Sequence, residues 1–177
     1  MTCYVALLRG VNVGGKNVVK MDALRAALVA AGYGNVRTLL ASGNVAFDAA
    51  ETETGVLARD IGATLQRAFG RVIPVIVRTT RQIQELVASA PFVSVEVTPQ
   101  TRLYVTFISE QPGVEATAPE PPGGTDLAIV RVTPSEVCSV LTLERTDSVS
   151  AMAELERRFG SRVTTRNWNT VVKLASL

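Results

Sequence analysis

The alternation of apolar and polar positions divides the chain into short segments. Tyr4 to Leu8 is a continuous apolar run, the pattern of a buried strand. Met21, Leu24, Leu28 and Ala31 recur at helical spacing, and Gly32 and Gly34 stop them. Val36–Leu40 and Val45–Phe47 flank Ser42-Gly43-Asn44, which predicts a hairpin with a tight turn. Leu57, Ile61, Leu65 and Ala68 predict a second helix closed by Gly70. Val72–Val77 predicts a fourth strand, where Pro74 argues for an edge or a bulge. A helix follows over about 81–88, with Thr79 and Gln82 placed as a capping box. The order β-α-β-β-α-β is that of a split βαβ, or ferredoxin-like, unit.

The pattern then restarts. Pro91 and Pro99 bracket a linker, and Leu103–Ile108 is a clear strand. Four of the eight prolines fall in 109–125, which predicts a long loop there. Leu127–Val132 and Val137–Leu143 predict paired strands, and Val149, Met152, Leu155 and Phe159 a helix stopped by Gly160. A short strand at Val163 and a terminal helix complete the chain. Thr79-Thr80-Arg81-Gln82-Ile83-Gln84 matches Thr164-Thr165-Arg166-Asn167-Trp168-Asn169 in character, which suggests two copies of one unit. The expected organisation is therefore α+β, with two tandem ferredoxin-like subdomains, each followed by an extra helix. They occupy residues 1–90 and 101–177, joined by a linker at 91–100.

Composition narrows the chemistry. With 47% hydrophobic residues the chain can form a core, and no apolar run approaches the roughly 20 residues of a membrane span. With no charged leader at the N-terminus, a soluble cytoplasmic protein is expected. There is no histidine, which excludes His-based general-base chemistry and a Ser-His-Asp triad within this chain. Cys3 and Cys138 lack any ligand spacing and read as buried thiols, so no metal or cofactor is expected. The net charge of +2 is too small to imply nucleic acid. Its distribution is uneven: residues 1–44 carry five cations against Asp22, and residues 162–177 carry three cations and no acid.

Between the first strand and the first helix runs Arg9-Gly-Val-Asn-Val-Gly-Gly-Lys-Asn17. Glycines let backbone N–H groups approach a ligand, and the cations supply charge, so this turn is built to hold an anion. Gly10 to Lys16 also satisfies G-x-x-x-x-G-K, the opening of a P-loop. Asn17 then stands where a magnesium-binding hydroxyl is needed, the helix starts late, and the fold order is wrong for a nucleotide fold. The aromatics that an RNA-binding sheet would stack on are missing from Val5, Ala6 and Leu7. Lys16 is the obvious proton-transfer candidate, but no positioned carboxylate pair accompanies it, which leaves catalysis open.

Three motifs carry a resemblance: Val5-Ala-Leu-Leu-Arg-Gly-Val-Asn-Val-Gly-Gly-Lys-Asn17, Ala41-Ser-Gly-Asn-Val45 and Val163-Thr-Thr-Arg-Asn-Trp-Asn-Thr-Val171. The chain resembles the bacterial family catalogued as domain of unknown function 1697. The resemblance implies two ferredoxin-like subdomains and no assigned reaction. Its shared polar positions correspond to Arg9, Asn12, Gly14, Gly15, Lys16, Ser42, Asn44, Arg166, Asn167 and Asn169. The chain departs from the family pattern in its Pro-rich 109–125 and in Thr146-Asp-Ser-Val-Ser-Ala151, where relatives carry Ser-Lys-Leu.

The expected function is binding of a phosphate- or carboxylate-bearing small molecule in a cationic cleft. Arg9 and Lys16 would neutralise charge, and Gly14 and Gly15 would donate N–H groups. Asn12, Ser42 and Asn44 would orient the ligand, and Arg166 would close the site from the second half. A nucleic-acid-binding module is the alternative, followed by a degenerate P-loop nucleotide binder.

Overall fold

The computed structural model describes residues 1–14, 17–109, 126–143, 147–160 and 162–177. It is an α+β structure of two units, Met1–Gln84 with Leu174–Leu177, and Glu85–Lys173.

The first unit runs β1 (Thr2–Leu8), α1 (Met21–Ala30), β2 (Gly34–Leu39), β3 (Asn44–Ala49), α2 (Thr54–Phe69) and β4 (Val75–Thr79), and passes into α3 (Thr80–Ala88). Its sheet order is β2-β3-β1-β4 and every pairing is antiparallel. The core gathers Tyr4, Ala6 and Leu8 of β1 with Val45 and Phe47 of β3, Val77 of β4, and Leu24, Leu28, Leu57, Ile61 and Leu65 of the helices. This is the face that period-2 strands and period-3.6 helices jointly bury. The Tyr4 hydroxyl donates to the Thr52 carbonyl and accepts from the Thr52 N–H, both at 3.0 Å, fixing the approach to α2.

Pro74 lies just before β4, which is an edge strand, where a missing N–H does least harm. The capping box forms at α3. The Gln82 N–H donates to Thr79 Oγ1 (3.1 Å), and Gln82 Oε1 accepts from the Thr79 N–H (2.8 Å). Such a cap stabilises a helix by about 1 kcal/mol.

The second unit contains β5 (Thr101–Ile108), β6 (Leu127–Val132), β7 (Glu136–Thr142), α4 (Ser148–Phe159), β8 (Val163–Asn167) and α5 (Trp168–Leu174). Its sheet order is β6-β7-β5-β8, again wholly antiparallel, so corresponding strands occupy corresponding places. The expected loop at 109–125 falls, beyond Ser109, outside the described residues. In the 91–100 stretch Phe92 is buried, and its ring meets Trp168 edge-on at 5.1 Å, while most of the remaining residues are exposed.

The short strand expected at Val163 runs on to Asn167. Arg166 belongs to β8, opposite Val105, and the helix begins at Trp168. Two consecutive β-branched residues, Thr164 and Thr165, favour the strand through to Asn167. The buried helix face is accordingly Thr170, Val171 and Leu174, while Val172 is exposed. The internal echo also shifts. Arg78 faces Val5 and Arg166 faces Val105, so Arg78, not Arg81, is the counterpart of Arg166.

On α4, Glu154 accepts from Arg157 and Arg158, and these bonds hold its carboxyl well below the usual range, at about 2. A depressed carboxylate contributes stability that is complete above pH ~4.5 and is lost as pH falls towards 2. Glu154→Gln should therefore flatten acid unfolding across that window in urea melts. The effect should stay below about 1 kcal/mol because Arg157 is largely exposed. An unchanged acid limb would show that the cluster contributes nothing.

Candidate functional site

The glycine-rich loop leaves β1 under tight control. The Leu8 N–H donates to the Gly43 carbonyl (2.8 Å), and the Arg9 N–H donates to the Pro74 carbonyl (2.9 Å). The strand end is thus held by the hairpin turn on one side and the approach to β4 on the other. Val11 and Val19 then turn inward and join the core, pinning the loop at two points. Hydrophobicity alone did not mark these pins, since Val13 and Val18 of the same loop are exposed.

Asn12 sits between the pins and organises the rest. Its Oδ1 accepts from the Val19 N–H (2.8 Å), while Nδ2 donates to the carbonyls of Val19 (3.0 Å) and Ala41 (2.6 Å). The Asn12 N–H also donates to the Asn17 carbonyl (3.1 Å). One amide therefore closes the loop on itself and ties it to the β2–β3 turn. Gly10, Asn12, Gly14 and Asn17 all have φ between +55° and +66°. These are left-handed conformations, which glycine tolerates and asparagine enters more readily than other side chains. A Cβ built on Gly10 or Gly14 would meet nothing within 4 Å, so the loop's outer side is open.

The facing turn is built the same way. Asn44 is fully buried and its Nδ2 donates to the Leu39 carbonyl and to Ser42 Oγ, both at 2.9 Å. Ser42 is exposed. Gly43 has φ +75° and packs on Leu8 and Val11. Both Nδ2 hydrogens of Asn12 and of Asn44 are thus engaged within the protein, which gives these residues a positioning task.

Of the expected site residues, the first unit brings together Arg9, Asn12, Gly14, Ser42 and Asn44 at one end of its sheet. Gly15 and Lys16 lie outside the described residues. Arg166, Asn167 and Asn169 belong to the second unit. Arg166 is buried, its Nη1 donates to Thr164 Oγ1 (2.8 Å) and the Thr165 carbonyl (2.9 Å), and burial pulls its pKa down to about 10. Asn167 Oδ1 accepts from the Asn169 N–H (3.0 Å) at the entry to α5.

Several chemistries can be weighed against this geometry. A P-loop requires the helix to open at its Lys, whereas α1 begins at Met21 and its N-cap Lys20 makes no side-chain cap. Among the described residues no three His, Cys, Asp or Glu side chains gather as a metal site. Burial raises the Cys138 thiol to about 11, which leaves it protonated and inert at neutral pH. A nucleic-acid platform needs an open sheet face with stacking aromatics. In β1 both faces are buried, Val5 and Leu7 as completely as Tyr4 and Leu8, and in β5 so are Val105 and Phe107. No described helix is long and apolar enough to cross a membrane.

Residues 1–137 match the family described as "Protein of unknown function (DUF1697)". The motif at Val163–Val171 lies beyond the matched range. No curated protein matches this chain. Among solved structures, the conserved bacterial protein SP0830 from Streptococcus pneumoniae is similar, with a TM-score of 0.74 and 21% identity. The similarity covers 99% of this chain and 97% of that one, and at this identity it concerns the fold.

Proposed function

The chain belongs to the DUF1697 family, and from that premise we propose that its glycine-rich loop binds the phosphate or carboxylate group of a small molecule. One observation carries the reading: the Asn12 amide holds an outward-facing loop whose backbone is left-handed at Gly10, Asn12, Gly14 and Asn17. Where left-handed residues alternate with right-handed ones, successive N–H groups can turn to one side and form an anion-binding concavity. The Asn12 N–H is already taken by the Asn17 carbonyl, so the N–H groups for the ligand come from the rest of the loop. Among the described residues of this loop, only Asn12 and Asn17 carry a side chain at a left-handed position, a modest cost that a solvent-facing turn does not require. In this reading Gly14 and Gly15 donate N–H groups, Arg9 and Lys16 supply charge, and Ser42 adds a hydroxyl from the facing turn. Asn12 and Asn44 shape the two segments. Arg166, Asn167 and Asn169 hold the β8–α5 junction.

The antiparallel order shared by the two sheets supports the ferredoxin-like assignment and an origin by duplication. The site is proposed to act in the cytoplasm.

Titration calorimetry with inorganic phosphate, pyrophosphate and small dicarboxylates tests the function. Lys16→Ala and Arg9→Ala should each weaken binding about tenfold or more, the loss of one charge-assisted hydrogen bond. Arg166→Ala should lower stability and leave affinity intact. Equal affinity in the wild type and in both loop variants would remove the proposal.

A further inference from the structure

We propose that α4 is a movable element: it leaves the sheet of the second unit while that sheet stays folded, and so uncovers a polar surface that the closed unit hides. The two sheets share a register, so their helix seats can be compared position by position. Tyr4 faces Phe47 as Tyr104 faces Ser139. Ala6 faces Val77 and Val45 as Thr106 faces Thr165 and Val137. The core positions held by Ala6, Phe47 and Val77 in the first unit are therefore held by Thr106, Ser139 and Thr165 in the second.

These hydroxyls weaken the seat of α4. Thr106 and Thr165 bond each other (2.9 Å), and Ser139 is fully buried with no hydrogen-bond partner for its Oγ. An unmet buried hydroxyl is a cost that only the closed state carries. Arg158 carries a second one. Its side chain is 4% exposed and its Nε donates to Glu154, but Nη1 and Nη2 have no hydrogen-bond partner. Three residues into the helix, α4 has Ala151 where α2 has Leu57, so less apolar surface is buried. The latch is weaker too. The Tyr4 hydroxyl makes two bonds to the Thr52 backbone, whereas Tyr104 makes one, to Ser148 Oγ (3.0 Å). The α4 cap, from the Ser150 N–H to Asp147 Oδ1 (2.7 Å), and the bonds of Glu154 to Arg157 and Arg158 lie within the helix and do not tie it to the sheet. Opening hydrates Ser139 and Arg158, so a ligand that bonds them selects the open state.

Thiol labelling of the full chain carrying Cys3→Ser tests the proposal. Val45 and Val137 are matching, fully buried positions. Val137 lies on the α4 side of β7, and the next residue, Cys138, on the other side. Corrected for intrinsic thiol reactivity, Val137→Cys in a Cys138→Ala background should react with a soluble disulfide reagent about tenfold faster or more than Val45→Cys in the same background. It should outrun Cys138 in a Val137→Ala chain by as much. Ser139→Ala and Arg158→Met each remove an unmet polar group from the closed state, and each should slow Val137→Cys about fivefold or more. A Val137→Cys rate no higher than that of Cys138 would mean that α4 leaves only when the sheet unfolds, and would overturn the proposal. Equal rates for Val45→Cys and Val137→Cys, or a rate that neither Ser139→Ala nor Arg158→Met changes, would overturn it as well.

Discussion

Gly43→Ala should cost roughly 3 kcal/mol, one of the two largest losses expected from a single substitution near the loop. Two effects add. The residue sits at φ +75°, where an L side chain meets its own backbone at about 1–2 kcal/mol. The new Cβ would stand 2.5 Å from Val11 Cγ2 and 2.8 Å from Leu8 Cβ, closer than carbon atoms can approach. Neither neighbour can yield cheaply. Leu8 Cβ is fixed by the strand, whose N–H is bonded to the Gly43 carbonyl, and Val11 is a stiff β-branched residue buried in the core. Relieving the contact means lifting the turn off the strand end, an overpacking cost of about 1–3 kcal/mol. The more restricted unfolded chain returns a few tenths of this. Gly10→Ala and Gly14→Ala are the internal controls. They share the positive φ but face open space, and should cost about 1 kcal/mol each. Urea melts of the three variants check the ranking. If Gly43→Ala were no worse than Gly14→Ala, the turn would not be seated on Leu8 and Val11.

Legibility followed the length scale of the signal. Tyr4–Leu8 and Leu103–Ile108 announced themselves because the first, and the second from Val105 on, bury consecutive side chains on both faces, as a central strand does. The Thr79–Gln82 capping box was readable because both its bonds span three residues. Arg166 was harder. Thr-Thr-Arg is compatible with a helix entry, and its strand placement is set by pairing with Val105, far away in sequence. The glycine-rich turn was visible as a site because its glycines and cations are contiguous. The tasks of its asparagines were not, since the bond from Asn12 to Ala41 crosses 29 positions that no local pattern encodes. Leu40 passed as the last residue of a strand by hydrophobicity, and only its backbone reveals it as an exposed turn residue.

Asn12→Ala should be comparably damaging to stability, again about 3 kcal/mol, and should also disable the loop. Three hydrogen bonds end on this amide, each of net worth about 1 kcal/mol. Alanine at φ +55° adds strain, which Asn12→Gly would spare. The difference between these two variants isolates the backbone part, and the remainder belongs to the amide. Asn12→Asp gives a sharper signature. A carboxylate can still accept from the Val19 N–H, but when ionised it faces the Val19 and Ala41 carbonyls with no donor. Its folded pKa should therefore lie above the unfolded value near ~3.9. With that sign, the variant is least impaired below pH ~4 and loses stability as pH rises through the window above it. Hydrogen exchange at the Val19 amide, protected in the wild type, should become fast in Asn12→Ala. Phosphate affinity should then fall with it, although Asn12 has no N–H or O–H left to offer an anion from its side chain. Affinity retained in Asn12→Ala, with the Val19 amide exposed, would mean that the held conformation of the loop is irrelevant to binding.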